Sequence, residues 1–209
     1  MTKKEETRLN ILERSRKLFL SNGFSKVTTD DIARSIGVSK KTLYKFFASK
    51  EDLLEAAIFQ MLRDAGSKIE KAVNDGALEF PEKLLLVRRT ALETVTSLKP
   101  EFLRDIRKNA RSLWSKIEVF RREKLSVNIS TLIRYGKSQG YITNDFNEGI
   151  FLVIFLNLLD GTINPDSLSE SSYSAAELIE GIFKLMFEGA LTEKGRKAFP
   201  AVRIREVAK

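Results

Sequence analysis

Apolar residues recur along this chain at the three- and four-residue spacing of one helix face, and this pattern constrains the fold more than any other feature. In the first twenty residues these positions hold Leu9, Ile11, Leu12, Leu18 and Phe19. The alternation of apolar and polar residues that is typical of β-strands is nearly absent. We therefore predict an all-α protein.

Capping residues and glycines divide the chain into helices of two sizes. In the first fifty residues we predict a helix ending at Asn22-Gly23, a second from Thr28 or Thr29 to Gly37, and a third that is capped by Ser39. Longer helices are predicted over 50–73, 81–98, 100–113, 115–139, 147–162 and 175–191, with a Ser-rich loop over 164–174.

The formal net charge of +8 is concentrated near the N-terminus. Residues 1–50 contain 12 Lys and Arg against 5 Asp and Glu, whereas residues 51–209 contain 24 against 23. A basic segment joined to a nearly neutral body indicates a module that binds a polyanion. A solvated basic surface has the same composition, so the charge alone does not distinguish a polyanion-binding module from such a surface.

The composition excludes several classes of site. The chain has no Cys and no His, which removes disulfides, thiol catalysis, His-based triads and zinc sites made of these ligands. A Ser–Lys or carboxylate catalyst is compatible with the composition, but no paired-carboxylate or Gly-rich phosphate motif stands out. We predict no enzyme, no catalytic residue, no metal site and no cofactor.

Neither a targeting segment nor a transmembrane segment is evident. The longest apolar run, 150–156, is much shorter than the roughly eighteen residues that a bilayer crossing needs. We expect a cytoplasmic protein without a membrane partner.

Residues 28–47, TTDDIARSIGVSKKTLYKFF, have the pattern of a helix-turn-helix. The two predicted helices meet at a tight turn that contains Gly37, and Ile32, Ile36 and Leu43 are spaced to pack together. With Leu43 in the core, its neighbours on the second helix are left to face outward. A helix of this kind fits the major groove of DNA, where lysines donate to guanine or to phosphates.

The segment around this motif resembles the TetR family of transcriptional regulators over about residues 9–56. The matching positions include Gly23-Phe24, Thr28-Thr29, Gly37-Val38-Ser39-Lys40, Thr42-Leu43-Tyr44 and Ser49-Lys50-Glu51-Asp52-Leu53. The resemblance implies an N-terminal three-helix DNA-binding domain and a larger helical domain for ligand binding and dimerisation. Lys41, Lys45, Phe46, Arg14 and Ser15 depart from residues that are frequent in the family.

We predict DNA-binding roles for nine residues, eight carried over by position from the resemblance and Ser39 as the cap of the recognition helix. These are Thr28, Thr29, Ser39, Lys40, Lys41, Thr42, Tyr44, Lys45 and Lys50. Other interpretations stay open for six of them. Tyr44 can pack beneath its helix, Thr28 and Thr29 can act purely as helix caps, and the three lysines of the recognition helix can form a plain solvated face.

Two apolar helices near the C-terminus predict a dimer interface. Helix 147–162 is apolar on nearly every side, and helix 175–191 has only a narrow polar stripe. A second copy of the chain covers such surfaces most simply, although a wholly intramolecular core is the alternative. The predicted interface residues are Leu152, Phe155, Leu156, Leu159, Ile179, Phe183 and Met186. Asn157 and Asp160 are polar exceptions that can bond across this interface or line a pocket.

The middle helices are the expected location of a pocket for an unknown small-molecule effector. The candidate lining residues are Phe102, Ile106, Trp114, Ile117 and Tyr135. For Trp114, a plain core position is the stronger alternative.

These observations predict a DNA-binding domain over residues 1–50, an effector-binding and dimerisation domain over 51–192, and a basic, partly flexible tail over 193–209. We expect a ligand-responsive repressor that binds a palindromic double-stranded operator as a homodimer. The alternative is a DNA-binding protein without a small-molecule response, whose large domain serves dimerisation or a protein partner.

Overall fold

The computed structural model describes residues 2–199, and helices account for nearly all of the regular structure in this range. The helices are α1 Lys3–Asn22, α2 Thr29–Ile36, α3 Lys40–Phe46, α4 Lys50–Asn74, α5 Phe80–Thr96, α6 Pro100–Asn109, α7 Arg111–Ser138, α8 Glu148–Thr162, α9 Pro165–Glu170 and α10 Ala175–Phe183. A π-helical turn, Lys184–Glu188, continues α10, and residues 193–199 are helical. Within the described residues, β-structure is limited to an isolated bridge between Ile142 and Leu191. The prediction of an all-α fold is confirmed.

Side-chain caps explain why several helices begin where they do. Thr2, Thr28 and Ser174 each start a helix with a reciprocal capping box. The predicted loop over 164–174 is wrong in part, because α9 lies inside it. Asn164 accepts hydrogen bonds from two amides of the first turn of α9, and Pro165 occupies the first helical position that tolerates proline.

The helices pack into two compact units. The first unit contains the residues up to Asp64 together with Ser97–Val119, and the second contains Ala65–Thr96 and the chain from Phe120 onward. The packing units therefore differ from the segments 1–50 and 51–192 that the sequence suggests as functional domains. That functional division stays a prediction.

The first unit has its own core, which includes Ile11, Phe19, Ile32, Leu43, Leu54, Phe102 and Ile106. Residues of α6 are therefore as much part of this core as residues of α1 to α4. Burying large apolar side chains such as these stabilises the unit by about 1.5–3 kcal/mol each.

The second unit is built around clustered phenylalanines. The Phe155 ring meets those of Phe183 and Phe187 edge to face at centroid distances of 5.7 and 5.9 Å, and Phe151 packs against Phe187 at 5.3 Å. These contacts join α8 to α10 and to the π-helical turn. Of the predicted basic tail, 193–199 is helical, and 200–209 lies outside the described residues.

Candidate nucleic-acid interface

The start of α2 is fixed by a local hydrogen-bond exchange. The Thr28 hydroxyl accepts from the Asp31 amide at 3.2 Å, and the Thr28 amide donates to Asp31 Oδ2 at 3.0 Å. Hydrogen bonds from the Thr28 side chain and backbone hold the pKa of Asp31 below its ordinary value. Thr28 is thus a helix cap and is still exposed, whereas Thr29 is half-buried in the first turn.

The turn between α2 and α3 depends on Gly37, whose φ of 75° lies in the left-handed region. Its amide donates to carbonyls of Ala33 and Arg34 and thereby closes α2. Two residues later the Ser39 hydroxyl accepts from the Thr42 amide at 3.0 Å and opens α3. Ser39 and Thr42 also share a hydroxyl–hydroxyl hydrogen bond of 2.9 Å. The predicted cap of α3 is confirmed.

Helix α3 has one buried side and one basic exposed side. Leu43 is buried in the core of the first unit, and Phe47, the residue after α3, is buried beside it. Lys40, Lys41, Tyr44 and Lys45 are exposed, and Tyr44 has 47% of its surface accessible. We call these four residues the α3 basic face. Tyr44 therefore points away from the core rather than packing beneath the helix.

One ion pair links this face to α2. Lys40 Nζ lies 2.7 Å from Asp30 Oδ2, and both side chains are about half exposed. The hydrogen bond with Asp30 raises the pKa of Lys40, so its ammonium stays charged at neutral pH. An exposed pair of this kind is weak enough to exchange its carboxylate for another anion.

Lys50, at the start of α4, binds the loop between α1 and α2, residues 23–28. Its Nζ donates to the carbonyls of Phe24 and Val27, at 3.1 Å each, and lies 4.3 Å from the centre of the Phe24 ring. The sequence suggests a phosphate contact for Lys50; the structure gives it a bracing role in this loop.

The same loop is held from its other side by α6, in a cluster that the sequence analysis missed. The Ser25 amide donates to Asp105 Oδ2 at 2.8 Å, and the Ser25 hydroxyl also bonds to this carboxylate. Asn109 donates to both Ser25 Oγ and Asp105 Oδ1, at 2.9 and 2.8 Å. No local sequence pattern predicts a contact between Ser25 and Asp105, which are 80 positions apart.

The pKa of Asp105 reflects this position. Burial acts to raise it, but hydrogen bonds from the Ser25 side chain and backbone and from Asn109 outweigh burial, and the pKa lies below its ordinary value. Asp105 is therefore an ionised carboxylate with its acceptors occupied, and it holds the segment that leads into α2.

Four of the five predicted effector residues belong to or pack against one core, and the fifth does not. Phe102 and Ile106 are almost fully buried in the core of the first unit, and Trp114 and Ile117 pack against that core. Tyr135 packs against the core of the second unit instead. Helix α6 buries its apolar side in the core of the first unit and exposes its basic side. Its apolar residues therefore serve packing.

A cavity of about 140 Å³ lies elsewhere, between α5 and the α10 region of the second unit. We call it the α5–α10 cavity. Its walls include Leu84, Arg88, Glu180, Gly181, Phe183 and Phe187. Arg88 Nη1 and Glu180 Oε2, which both line the cavity, form an ion pair of 3.2 Å. No local sequence pattern indicates these contacts, since Arg88 and Glu180 are 92 positions apart.

Most of the predicted dimer residues are covered by their own chain. Phe155, Leu156, Leu159, Ile179 and Phe183 are buried in the core of the second unit, while Leu152 and Met186 are partly buried against it. A second copy cannot cover the five buried side chains, so this part of the prediction needs correction. The alternative of an intramolecular core applies to them.

Another side of α8 is apolar and exposed in the single chain. It consists of Ile150, Val153, Ile154 and Leu158, and Val153 has 58% of its surface accessible. We call these four residues the α8 apolar face. Their three- and four-residue spacing places them on one side of the helix.

Polar residues border the α8 apolar face. Arg121 and Arg122 of α7 bond to Asp160 at 2.5 and 2.9 Å, and Arg122 also donates to Asn157 at 2.9 Å. Asn157 and Asp160 are thus engaged with α7 within one chain.

Two properties of the described residues bear on other functions. No group of three or more acidic, Cys or His side chains is placed to hold a metal ion within residues 2–199. Over the same part of the chain, no helix has both the length and the hydropathy needed to cross a bilayer.

Comparison with known proteins agrees with the geometry of the N-terminal helices. Residues 11–57 match the model of "Bacterial regulatory proteins, tetR family". Over 185 residues the chain is 24% identical to the HTH-type transcriptional regulator YvaF of Bacillus subtilis strain 168, covering 88% of this chain and 95% of the relative. It is also 24% identical over 199 residues to the HTH-type transcriptional regulator UidR of Escherichia coli K12, covering 91% and 96%.

The fold as a whole has solved counterparts. The crystal structure of a transcriptional regulator from Cytophaga hutchinsonii aligns with a TM-score of 0.67 at 20% identity, covering 87% of this chain and 97% of that one. The curated relatives are named as regulators rather than as enzymes. With its capped helix-turn-helix and the matching family model, the segment over residues 11–57 belongs to the tetR family of bacterial regulatory proteins, and nearly the whole chain is similar to HTH-type transcriptional regulators.

Proposed function

We propose that this regulator is a ligand-responsive repressor that binds a near-palindromic operator as a homodimer. The observation that carries the proposal is the α3 basic face, because Leu43 holds one side of a seven-residue helix in the core and leaves three lysines and a tyrosine outside. A short capped helix with this exposure suits the DNA major groove. Because the proposed target is chromosomal DNA, the proposed location of the protein is the cytoplasm.

Each part of the proposed interface has a chemical role. Lys40, Lys41 and Lys45 supply donors for guanine O6 and N7 or for phosphates, and Tyr44 supplies a hydroxyl. Thr28, Thr29, Ser39 and Thr42 lie at helix starts, where exposed amides and the helix dipole favour phosphate. Lys50 takes part indirectly, by bracing the loop that leads into α2.

The α8 apolar face supports the homodimer. Four large apolar side chains exposed on one helix are a costly surface in water, and a two-fold partner that presents the same face removes it. A two-fold dimer carries two copies of α3, so the operator half-sites are expected about one DNA turn, roughly 34 Å, apart or somewhat more.

The α5–α10 cavity favours an effector response over the alternative of a regulator without one. A solid second unit supports dimerisation alone, whereas this unit holds an apolar space with a charged pair at its edge. Repression follows where the operator overlaps a promoter.

The test is a mobility-shift titration on the DNA upstream of the protein's own gene. We expect the double variant Lys40→Ala/Tyr44→Ala to lose about tenfold or more in affinity, because both side chains leave the proposed interface. The matched control is Lys71→Ala/Tyr173→Ala, which removes an exposed lysine and an exposed tyrosine from the second unit. Equal operator binding by wild type and the Lys40/Tyr44 variant would overturn the proposed interface.

A further inference from the structure

The α5–α10 cavity combines an apolar interior with a partly buried cation. Leu84 and Phe183 come from the core of the second unit and form part of its wall, as does Phe187. The Arg88 side chain is 20% exposed, whereas its ion-pair partner Glu180 is 43% exposed. Arginine stays protonated at any physiological pH, so the positive charge beside this apolar space is permanent.

One wall of the cavity departs from regular helical geometry. Lys184, Phe187 and Glu188 of the π-helical turn line the cavity, directly after the end of α10. Single π-helical turns are rare, cost regular hydrogen bonding and occur frequently at functional sites. The π-helical turn supplies both an aromatic residue of the cavity wall, Phe187, and two charged residues of its edge, Lys184 and Glu188.

The size of the cavity limits what it can hold. An enclosed apolar cavity of about 150 Å³ accommodates a benzene molecule, and the α5–α10 cavity measures about 140 Å³. A single six-membered ring or a short branched chain fits this volume.

The charges at the edge of the cavity select the polar group of the ligand. Arg88 is the less exposed member of its pair, so Glu180 is the member that can turn into water at little cost. A ligand carboxylate that replaces Glu180 keeps the guanidinium paired in a forked, charge-assisted geometry. Lys184 adds a second positive charge at the edge, and Glu188 adds a negative one.

We infer that the α5–α10 cavity binds a small monocarboxylate with an apolar body the size of a benzene ring, and that Arg88 pairs with the carboxylate in place of Glu180. The inference deepens the proposed ligand-responsive function and rests on it. It assigns both a place and a chemical class to the effector.

Benzoate is the probe, with benzyl alcohol and benzylamine as the neutral and cationic controls of similar shape. Binding to the full chain is followed by ligand-observed NMR titration and by the shift in Tm. We expect saturable binding of benzoate at one site per chain, with much weaker binding of both controls. Preferential binding of benzylamine would overturn the inference, because Glu180 or Glu188 would then recognise the ligand.

Three variants locate the site. In Arg88→Met, benzoate affinity should fall by about tenfold or more, since a charge-assisted hydrogen bond is lost. In Glu180→Gln it should rise, because the competing carboxylate is gone, and a purely structural role of Glu180 does not produce that gain.

The third variant, Gly181→Leu, fills the cavity. Gly181 is helical, lines the cavity, and an added Cβ there meets no atom within 4 Å, so leucine is tolerated and occupies the ligand's space. Gly66→Leu is the matched control, a helical glycine in α4 with equally open surroundings. Benzoate should lose its binding to the first and keep it for the second; undiminished binding to Gly181→Leu would overturn the inference.

The operator titration distinguishes a failure of the benzoate inference from a failure of the proposed repressor function. A wild-type protein that binds its operator but shows no saturable benzoate site contradicts this inference alone. A wild-type protein without operator binding contradicts the proposed function, whatever benzoate does.

Discussion

At the scale of single residues, a few buried polar atoms determine how well the first unit is stabilised. Ser15 of α1 is fully buried, and its hydroxyl has no hydrogen-bond partner within the part of the chain that the structure describes. Asp105 is the opposite case, because its carboxylate accepts bonds from Ser25 and Asn109. The first residue costs stability and the second contributes it.

Replacing Ser15 by Ala should raise the free energy of unfolding by about 1 kcal/mol or more, because an unsatisfied buried hydroxyl is removed and alanine is the better helix former. The measurement is urea unfolding followed by circular dichroism. Ser126→Ala is the control, since that partly exposed helical serine donates to the Arg122 carbonyl and its replacement gains only helix propensity. A Ser15→Ala protein less stable than wild type would show that the hydroxyl is satisfied.

Asp105→Asn should destabilise the protein by about 1–3 kcal/mol at pH 7, because the charged acceptor is lost. The folded-state pKa of Asp105 is lowered, so its contribution is fully present above the ordinary Asp pKa and disappears as the pH falls through the folded-state pKa. The difference between variant and wild type should therefore shrink below about pH 4.

Urea titrations at pH 7, 5 and 3 measure this difference. Glu101→Gln, an exposed carboxylate on the same helix, should change stability little at any pH. A stability gap that stays constant down to pH 3 would mean that the Asp105 charge is unimportant.

At the scale of elements, local signals account for the helix-turn-helix. Caps at Thr28 and Ser39 and the left-handed Gly37 mark the ends of α2 and α3. Because α3 has only seven residues, burying Leu43 leaves one orientation, in which the lysines face outward. The α3 basic face was therefore predictable from sequence.

Gly37→Ala should destabilise the protein by about 1 kcal/mol, because φ = 75° is strained for any residue with a Cβ, even though the space around it is open. Gly66→Ala in the middle of α4 should have the opposite sign and stabilise by about 0.5–1 kcal/mol. Thermal unfolding of both variants checks the pair. The same sign of the effect in both would show that backbone strain does not control the turn.

At the scale of the whole molecule, the proposed dimerisation depends on which side of α8 stays exposed. Val153→Glu should produce a monomer at micromolar concentration, because a carboxylate on the α8 apolar face would be buried without a partner charge. Operator affinity should fall with it, by about tenfold or more, as only one half-site is then held. Sedimentation and mobility shift measure the two effects.

The control for this variant is Val119→Glu, which places the same charge on an equally exposed valine of α7 in the first unit. It should leave the oligomeric state unchanged. A Val153→Glu protein that sediments as wild type would remove the α8 apolar face from the interface.

Sequence alone determined the all-α fold, the caps and the outward lysines of α3, because each follows from contacts within a few residues along one helix. Only the tertiary structure decided which side of α8 is buried. That helix is apolar on nearly every side, so its periodicity has no preferred phase, and the packing of Phe155 against Phe183 and Phe187 sets its rotation. The contact from Asp105 to Ser25 and the α5–α10 cavity are likewise invisible in sequence, since both join residues that are 80 or more positions apart.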